Sequence, residues 1–230
     1  MQLAAILAGI LLCSAFFMPL FGALAATAFV RRHRTREDRP FRISPAAYRK
    51  SAAMNALVSG GLLFGVPLLC RARMFVGEPV GLWRTLYEAA AVLALYDLGY
   101  YLLHRFVFHE WSVGRKIHSV HHTNRTPYAK DSLYIHPIET ASGVGLLLLC
   151  SWAVGPIGVS SFAVVLFVYS FLNVFIHSNV DLRFFPFRSL TALVRNHNIH
   201  HDSMKAGFYA SITPLWDYVF RTASRPPAHR

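Results

Sequence analysis

Acidic residues are scarce in this chain. Eleven Asp and Glu stand against 23 Lys and Arg, and charged residues of both signs make up only 15% of 230. So little charge excludes a fully solvated surface, and a formal excess of +12 points to nucleic acid or an anionic membrane as the neighbour. Cysteine is rarer still. Cys13, Cys70 and Cys150 are odd in number, widely spaced and free of any C-x-x-C, which argues against a disulfide framework and a thiolate metal site. Each reads as a small apolar residue within a helix. The sequence has no H-E-x-x-H and no haem, flavin or iron–sulfur motif, so the commonest zinc-hydrolase signature and a built-in electron carrier are both missing. No solenoid-period repeat or low-complexity stretch occurs. Only Met1 and Gln2 precede the first apolar run, and without a basic n-region that run reads as a retained anchor rather than a signal peptide.

What the chain has is apolar length. Apolar residues make up 54% of it, and its mean hydropathy is +0.38. Uncharged or apolar runs cover 3–30, 52–70, 82–104 and 140–177, the last broken at Gly155-Pro156 into a helical hairpin that enters and leaves by one side. Its first arm is short, so the tip is expected to stop short of a full crossing. The expected fold is an all-α integral membrane protein with about four transmembrane helices, counting the hairpin, and a helical cap. With several spans present, the membrane is the expected neighbour and nucleic acid is not. This layout puts 31–50, 105–139 and everything after 178 on one side, together with 20 of the 23 Lys and Arg. The positive-inside rule makes that side cytoplasmic and the N-terminus external. Residues 182–196 mix Phe184, Phe185 and Phe187 with Arg183, Arg188 and Arg195, a composition suited to lying in the interface or to an ordinary packed turn.

Histidine carries the chemistry. Ten of the twelve fall between 104 and 201; His33 and His229 lie in basic flanks. His118-Ser-Val-His121-His122 and His197-Asn-Ile-His200-His201 each place three imidazoles at helical offsets of three and four, and so on one face. Neutral imidazole suits iron, zinc, copper and nickel alike. The number of histidines exceeds what a closed four-ligand zinc site can use and is enough for two metals. Two metals at a membrane surface without thiolates favour non-haem iron and oxygen chemistry. A membrane zinc hydrolase is the alternative, and a metal transporter a third reading; transport sites, however, usually lie at the bilayer midplane, not beyond one face. Asp97, Tyr100, Tyr101 and His104 share a helix face, and Asp97 inside a span is costly unless paired, which makes it a candidate acceptor for a ligand histidine's free N–H. Glu139, three residues after His136, is a candidate to orient a ligand or bind metal.

These residues resemble the fatty acid hydroxylase/sterol desaturase superfamily of membrane di-iron oxygenases. The resemblance covers about 92–222 and rests on Asp97 ahead of His104-Arg105, His104/His109, both triplets, His136-Pro-Ile-Glu139, His177 and Leu215-Trp-Asp-Tyr-Val-Phe220. It implies an anchor over 1–91, a catalytic domain over 92–222 and a basic tail over 223–230. It implies iron ligation by His104, His109, His118, His121, His122, His136, His177, His197, His200 and His201, supported by Asp97 and Glu139. Two iron ions, O2, a lipid substrate and a separate electron-donor protein are the implied partners; hydroxylation or desaturation of a C–H bond is the implied reaction. Two departures stand out. Four residues separate His104 and His109, which sets them about 140° apart on a regular helix, so either the helix ends near Arg105 or a local bulge realigns them. Arg221 stands where the family usually has Gly, a change expected to be harmless.

Overall fold

The computed structural model describes residues 2–37 and 43–224; within the expected tail, 225–230 lie outside the described residues, as does His229. The fold is helical, and among the described residues there are two isolated bridges and no strand. The first run forms α1 (Gln2–Ala25) and the short α2 (Ala28–Arg32), capped by the Thr27 hydroxyl on the Val30 N–H. The second forms α3 (Pro45–Leu69), which starts seven residues before its apolar run because Ser44 caps the Ala47 N–H and Pro45 suits the first helical position. After α4 (Arg71–Met74), α5 (Leu82–Leu102) crosses back and continues as a widened turn to Glu110. Then come α6 (Ser112–His118), the hairpin arms α7 (Pro137–Val154) and α8 (Val159–Phe175), α9 (Arg188–His200) and α10 (Leu215–Val219).

Pro45–Leu69, Leu82–Glu110 and Pro137–Val154 are each long and apolar enough to cross a membrane, and α8 is a shorter apolar helix. At about 1.5 Å per residue, the 18 and 17 residues of the hairpin arms reach roughly 27 and 26 Å. The tip meets the loop between α4 and α5: the Ile157 N–H donates to the Met74 carbonyl (2.9 Å) and the Val76 N–H to the Ile157 carbonyl (3.1 Å). The hairpin therefore reaches the level where α3 has ended and α5 has yet to begin, contrary to the expectation of a short tip.

Lipid tails are as apolar as leucine, so packing and polar ties must hold these helices together. The main core joins Leu63, Val92, Tyr96, Leu147, Phe162 and Leu166 from α3, α5, α7 and α8. A second joins Phe17 and Phe21 of α1 to Phe175 of α8 and Val194 of α9. Glu88, buried on α5, accepts from Arg84, the Gly158 N–H and the Ser161 hydroxyl, tying α5 to the first turn of α8. At the opposite end, Asn55 of α3 donates to the carbonyls of Leu133 and Ile135 and accepts from the Thr140 hydroxyl of α7. These ties fix α5 against α8 at one end of the bundle and α3 against α7 at the other.

Past α10, Arg221 has φ +56°. It is the residue after the cap Phe220, the position where a left-handed conformation closes a helix and glycine is favoured. Arg221→Gly is thus expected to stabilise the protein by about 1 kcal/mol, the usual cost of a left-handed non-glycine residue. Thermal unfolding in detergent would check it; an unchanged or lower midpoint would contradict the assignment.

Candidate metal centre

The histidines come from five places in the chain and meet at one end of the bundle. His104 and His109 lie on the widened turn Leu103–Glu110, where the Trp111 N–H reaches back five residues to the Phe106 carbonyl. Such a π-helical turn stacks residues five apart. It brings the two imidazole Nε2 atoms within 3.3 Å, so of the two local solutions the sequence allows, the bulge is the one adopted. Gly114 makes this possible, since a Cβ there would lie 1.8 Å from the Val107 carbonyl oxygen and push α6 off the turn. His118 ends α6, His121 and His122 follow on a single 3-10 turn, and His177 lies just past α8. His197, His200 and His201 come from the last turn of α9.

Nine ring nitrogens form two lobes. In one, the ligand atoms of His104, His109, His118 and His200 lie within 4.8 Å of one another; in the other, those of His121, His177, His197 and His201 do the same. His122 joins the first lobe, its Nε2 3.1 Å from that of His118 and 3.0 Å from that of His200. Its ring stacks on His201 at 4.5 Å and joins the lobes.

For six of the nine rings the other nitrogen explains this convergence. His104 Nδ1 donates to the Tyr209 carbonyl (2.7 Å), His109 to Met204 (2.8 Å), His200 to Gly207 (3.0 Å), His177 to Asn173 (2.6 Å) and His201 to Asn124 (3.0 Å). His118 Nδ1 donates to Glu139 Oε1 at 2.8 Å. A carbonyl or carboxylate only accepts, so these six rings carry their proton on Nδ1 and aim the Nε2 lone pair inward. Burial works in the same direction: it pushes His118, His121, His122, His197 and His200 well below the usual imidazole range, His177 down to about 4 and His201 to about 3. Lone pairs now face lone pairs: His104 Nε2 is 2.9 Å from His118 Nε2, with no proton left to lie between them. A cation in each lobe removes that repulsion, and an all-imidazole donor set suits a transition metal. The residues fit two metal ions.

Two buried carboxylates hold the carbonyls in place. Asp217 of α10 accepts the N–H groups of Tyr209 (2.8 Å) and Ala210 (3.0 Å), and Asp97 accepts those of Ile212 (2.9 Å) and Thr213 (3.2 Å) with the Thr213 hydroxyl (2.6 Å). The segment 207–213, which supplies acceptors to His200 and His104, is clamped at both ends. Asp97 therefore does not touch a histidine, as the sequence suggested, but acts one step further out; its helix face points at this loop. Glu139 takes the orienting role that was one of its two options.

His136 stays out of both lobes. It is the N-cap of α7, half-buried, with Nδ1 accepting the Ile138 N–H at 3.2 Å, and Pro137 following it fixes that role. The sequence marked Asp217 only as part of Leu215-Trp-Asp-Tyr-Val-Phe220, without a role, and pointed to none of Asn124, Tyr209 or Gly207, which contribute backbone carbonyls. Nor did it single out Arg36, whose guanidinium holds Asp202 in two hydrogen bonds (2.5 and 2.7 Å) and reaches the Arg125 carbonyl at 3.3 Å, bracing the chain just after each triplet. Around the lobes, Phe108 is buried and stacks on His118 at 5.5 Å, whereas Phe106 and Trp111 are exposed. Beside His197, a cleft lined by Ile176, Leu193, Phe208, Ala210 and Pro214, among others, has room for about one water.

The sequence model of the fatty acid hydroxylase family matches residues 89–222. The chain belongs to that family. Among curated proteins, the chain is 23% identical to methylsterol monooxygenase 1 of Rattus norvegicus, over 84% of this chain and 68% of the relative. It is 26% identical to the ornithine lipid hydroxylase OlsE of Rhizobium tropici (63% and 44%), and 30% identical to a cholesterol 25-hydroxylase-like protein of Danio rerio (64% and 60%). No solved structure matches.

Two substitutions separate cage from cap. Asp217→Asn removes an acceptor from the clamp and is expected to weaken metal binding about 10- to 100-fold, as outer partners of metal sites do. His136→Ala is expected to leave metal content unchanged. Elemental analysis of the purified variants checks both, and the opposite pattern would overturn the assignment.

Proposed function

We propose that this protein is a membrane-bound non-haem di-iron oxygenase that hydroxylates or desaturates a C–H bond of a lipid, using O2 and electrons from a separate donor protein. The observation that carries this reading is the pair of buried imidazole lobes, lone pairs inward, at the end of apolar helices. His104, His109, His118, His122 and His200 would hold one iron; His121, His177, His197 and His201 would hold the other. When bound, the irons supply reduction of O2 and an oxidant strong enough for an unactivated C–H bond. The chain's own part is to fix ligand tautomers through Glu139 and the carbonyls, to position those carbonyls through Asp97 and Asp217, and to keep water from the Nε2 atoms by burial.

The names of the relatives support a lipid substrate, methylsterol and ornithine lipid among them, while fatty acyl chains and carotenoids fit the same apolar approach. A lipid tail can travel along the helices toward the lobes without leaving apolar surroundings, and the cleft beside His197 would have to widen to admit it. We place the lobes on the cytoplasmic side, with the N-terminus outside, because Lys and Arg concentrate at that end. That basic face suits an acidic electron donor. We take 1–91 as anchor and 92–222 as the catalytic unit. A hydrolase with a single zinc ion would use at most four of nine nitrogens and leave a second lobe of facing lone pairs unmatched.

Mass spectrometry of lipids from expressing and deleted cells grown under 18O2 tests the reaction. One lipid class is expected to gain a single labelled oxygen or lose two hydrogens, and His121→Ala or His200→Ala should abolish the change. Unlabelled hydrolysis products with zinc as the metal present would overturn the proposal.

A further inference from the structure

The segment between α8 and α9 carries a feature that the metal centre does not use. Arg183, Arg188 and Arg195 line a surface concavity of about 310 Å³, within the size range of small-ligand sites. Asp181, buried beneath them, receives Arg183 Nε at 2.7 Å and a short contact from Arg195. One carboxylate thus aligns two guanidinium groups side by side, and the concavity keeps two positive charges in excess. Arg188, at the start of α9, forms no ion pair among the described residues.

The surroundings say what comes to it. Phe184, Phe185 and Phe187 are exposed, Phe185 to 93%, more than a water-facing surface would leave to three neighbouring phenylalanines. Phe29, beyond the end of α1, is exposed as well, and the His33 ring bridges Phe29 (4.4 Å) and Phe184 (6.4 Å). The Asp181 N–H donates to the His33 carbonyl at 2.7 Å, so both aromatic groups belong to one rim at the level where α1 and α8 end. Aromatic side chains in a ring at helix ends, with arginines just beyond, match the boundary between acyl chains and phosphates.

We propose that the concavity of Arg183, Arg188 and Arg195 binds the headgroup phosphate of an anionic phospholipid, with the phenylalanine rim against the upper part of its acyl chains. The guanidinium planes supply paired donors to phosphate oxygens. The lipid so held runs along α9 from Arg188 to Arg195, two residues short of His197, and this site does not depend on the reaction proposed above. A water-soluble acidic protein would match the arginines but not the phenylalanines.

Native mass spectrometry of the full-length protein, released from nanodiscs of mixed phosphatidylglycerol and phosphatidylcholine, reads the bound lipid directly. Phosphatidylglycerol is expected to be retained in preference. Arg188→Gln should reduce retention about fivefold and Arg183→Gln with Arg188→Gln about thirtyfold, since each basic residue near the surface contributes a similar factor. Arg195 is left intact because it neutralises buried Asp181. Arg115→Gln with Lys116→Gln removes the same charge from exposed positions elsewhere and should leave retention unchanged. Inorganic phosphate in equimolar amount should not displace the lipid, because it brings no acyl chain to the rim. Equal retention of phosphatidylcholine, the same loss in both double variants, or displacement by phosphate would overturn the proposal.

Discussion

Six of the nine inward-facing imidazole nitrogens depend on the nitrogen across their ring. An imidazole in a buried cage offers a lone pair only if its proton is held elsewhere, and here six Nδ1–H groups are held by acceptors that cannot donate. Remove an acceptor and the ring can flip, change tautomer or take a second proton. The demand for fixed acceptors explains why the chain after the second triplet winds back as 203–213 over the cage, and why Asp97 and Asp217 are buried beside it.

The membrane-spanning part can be understood from the same requirement. Lobes assembled from the ends of α5, α6, α8 and α9 need those ends held in register, yet helix packing in lipid gains little from the hydrophobic effect. Polar ties do that work at both ends of the bundle, Glu88 to the hairpin's far turn and Asn55 to Thr140 near the cage. The widened turn at Leu103–Glu110 is the local adjustment that lets a regular span finish with two histidines on one side.

Much of this was legible in the residues. The triplets announce themselves because helical offsets convert sequence spacing into direction, and Asp97 and Glu139 stand out as carboxylates beside apolar runs. His109 was readable only as a choice between a helix end and a bulge, since backbone hydrogen-bond register leaves no mark on side-chain identity. The place of His136 was hidden for a related reason: ahead of Pro137 it caps a helix outside both lobes, which one-dimensional spacing does not reveal. Carbonyl acceptors such as Gly207 and Tyr209 are illegible in principle, because every residue has a carbonyl and only the fold decides which one faces a histidine. The significance of Arg221 likewise emerged from its left-handed backbone, not from its charge.

The central claim is that two lobes of neutral imidazole each hold a metal ion. Metal analysis combined with X-ray absorption on the purified, membrane-extracted protein tests it most directly. The account predicts two iron ions per chain, each in a first shell dominated by imidazole nitrogen and without sulfur. A single metal ion per chain, or a shell that persists unchanged after His104 and His177 are both replaced by alanine, would contradict it.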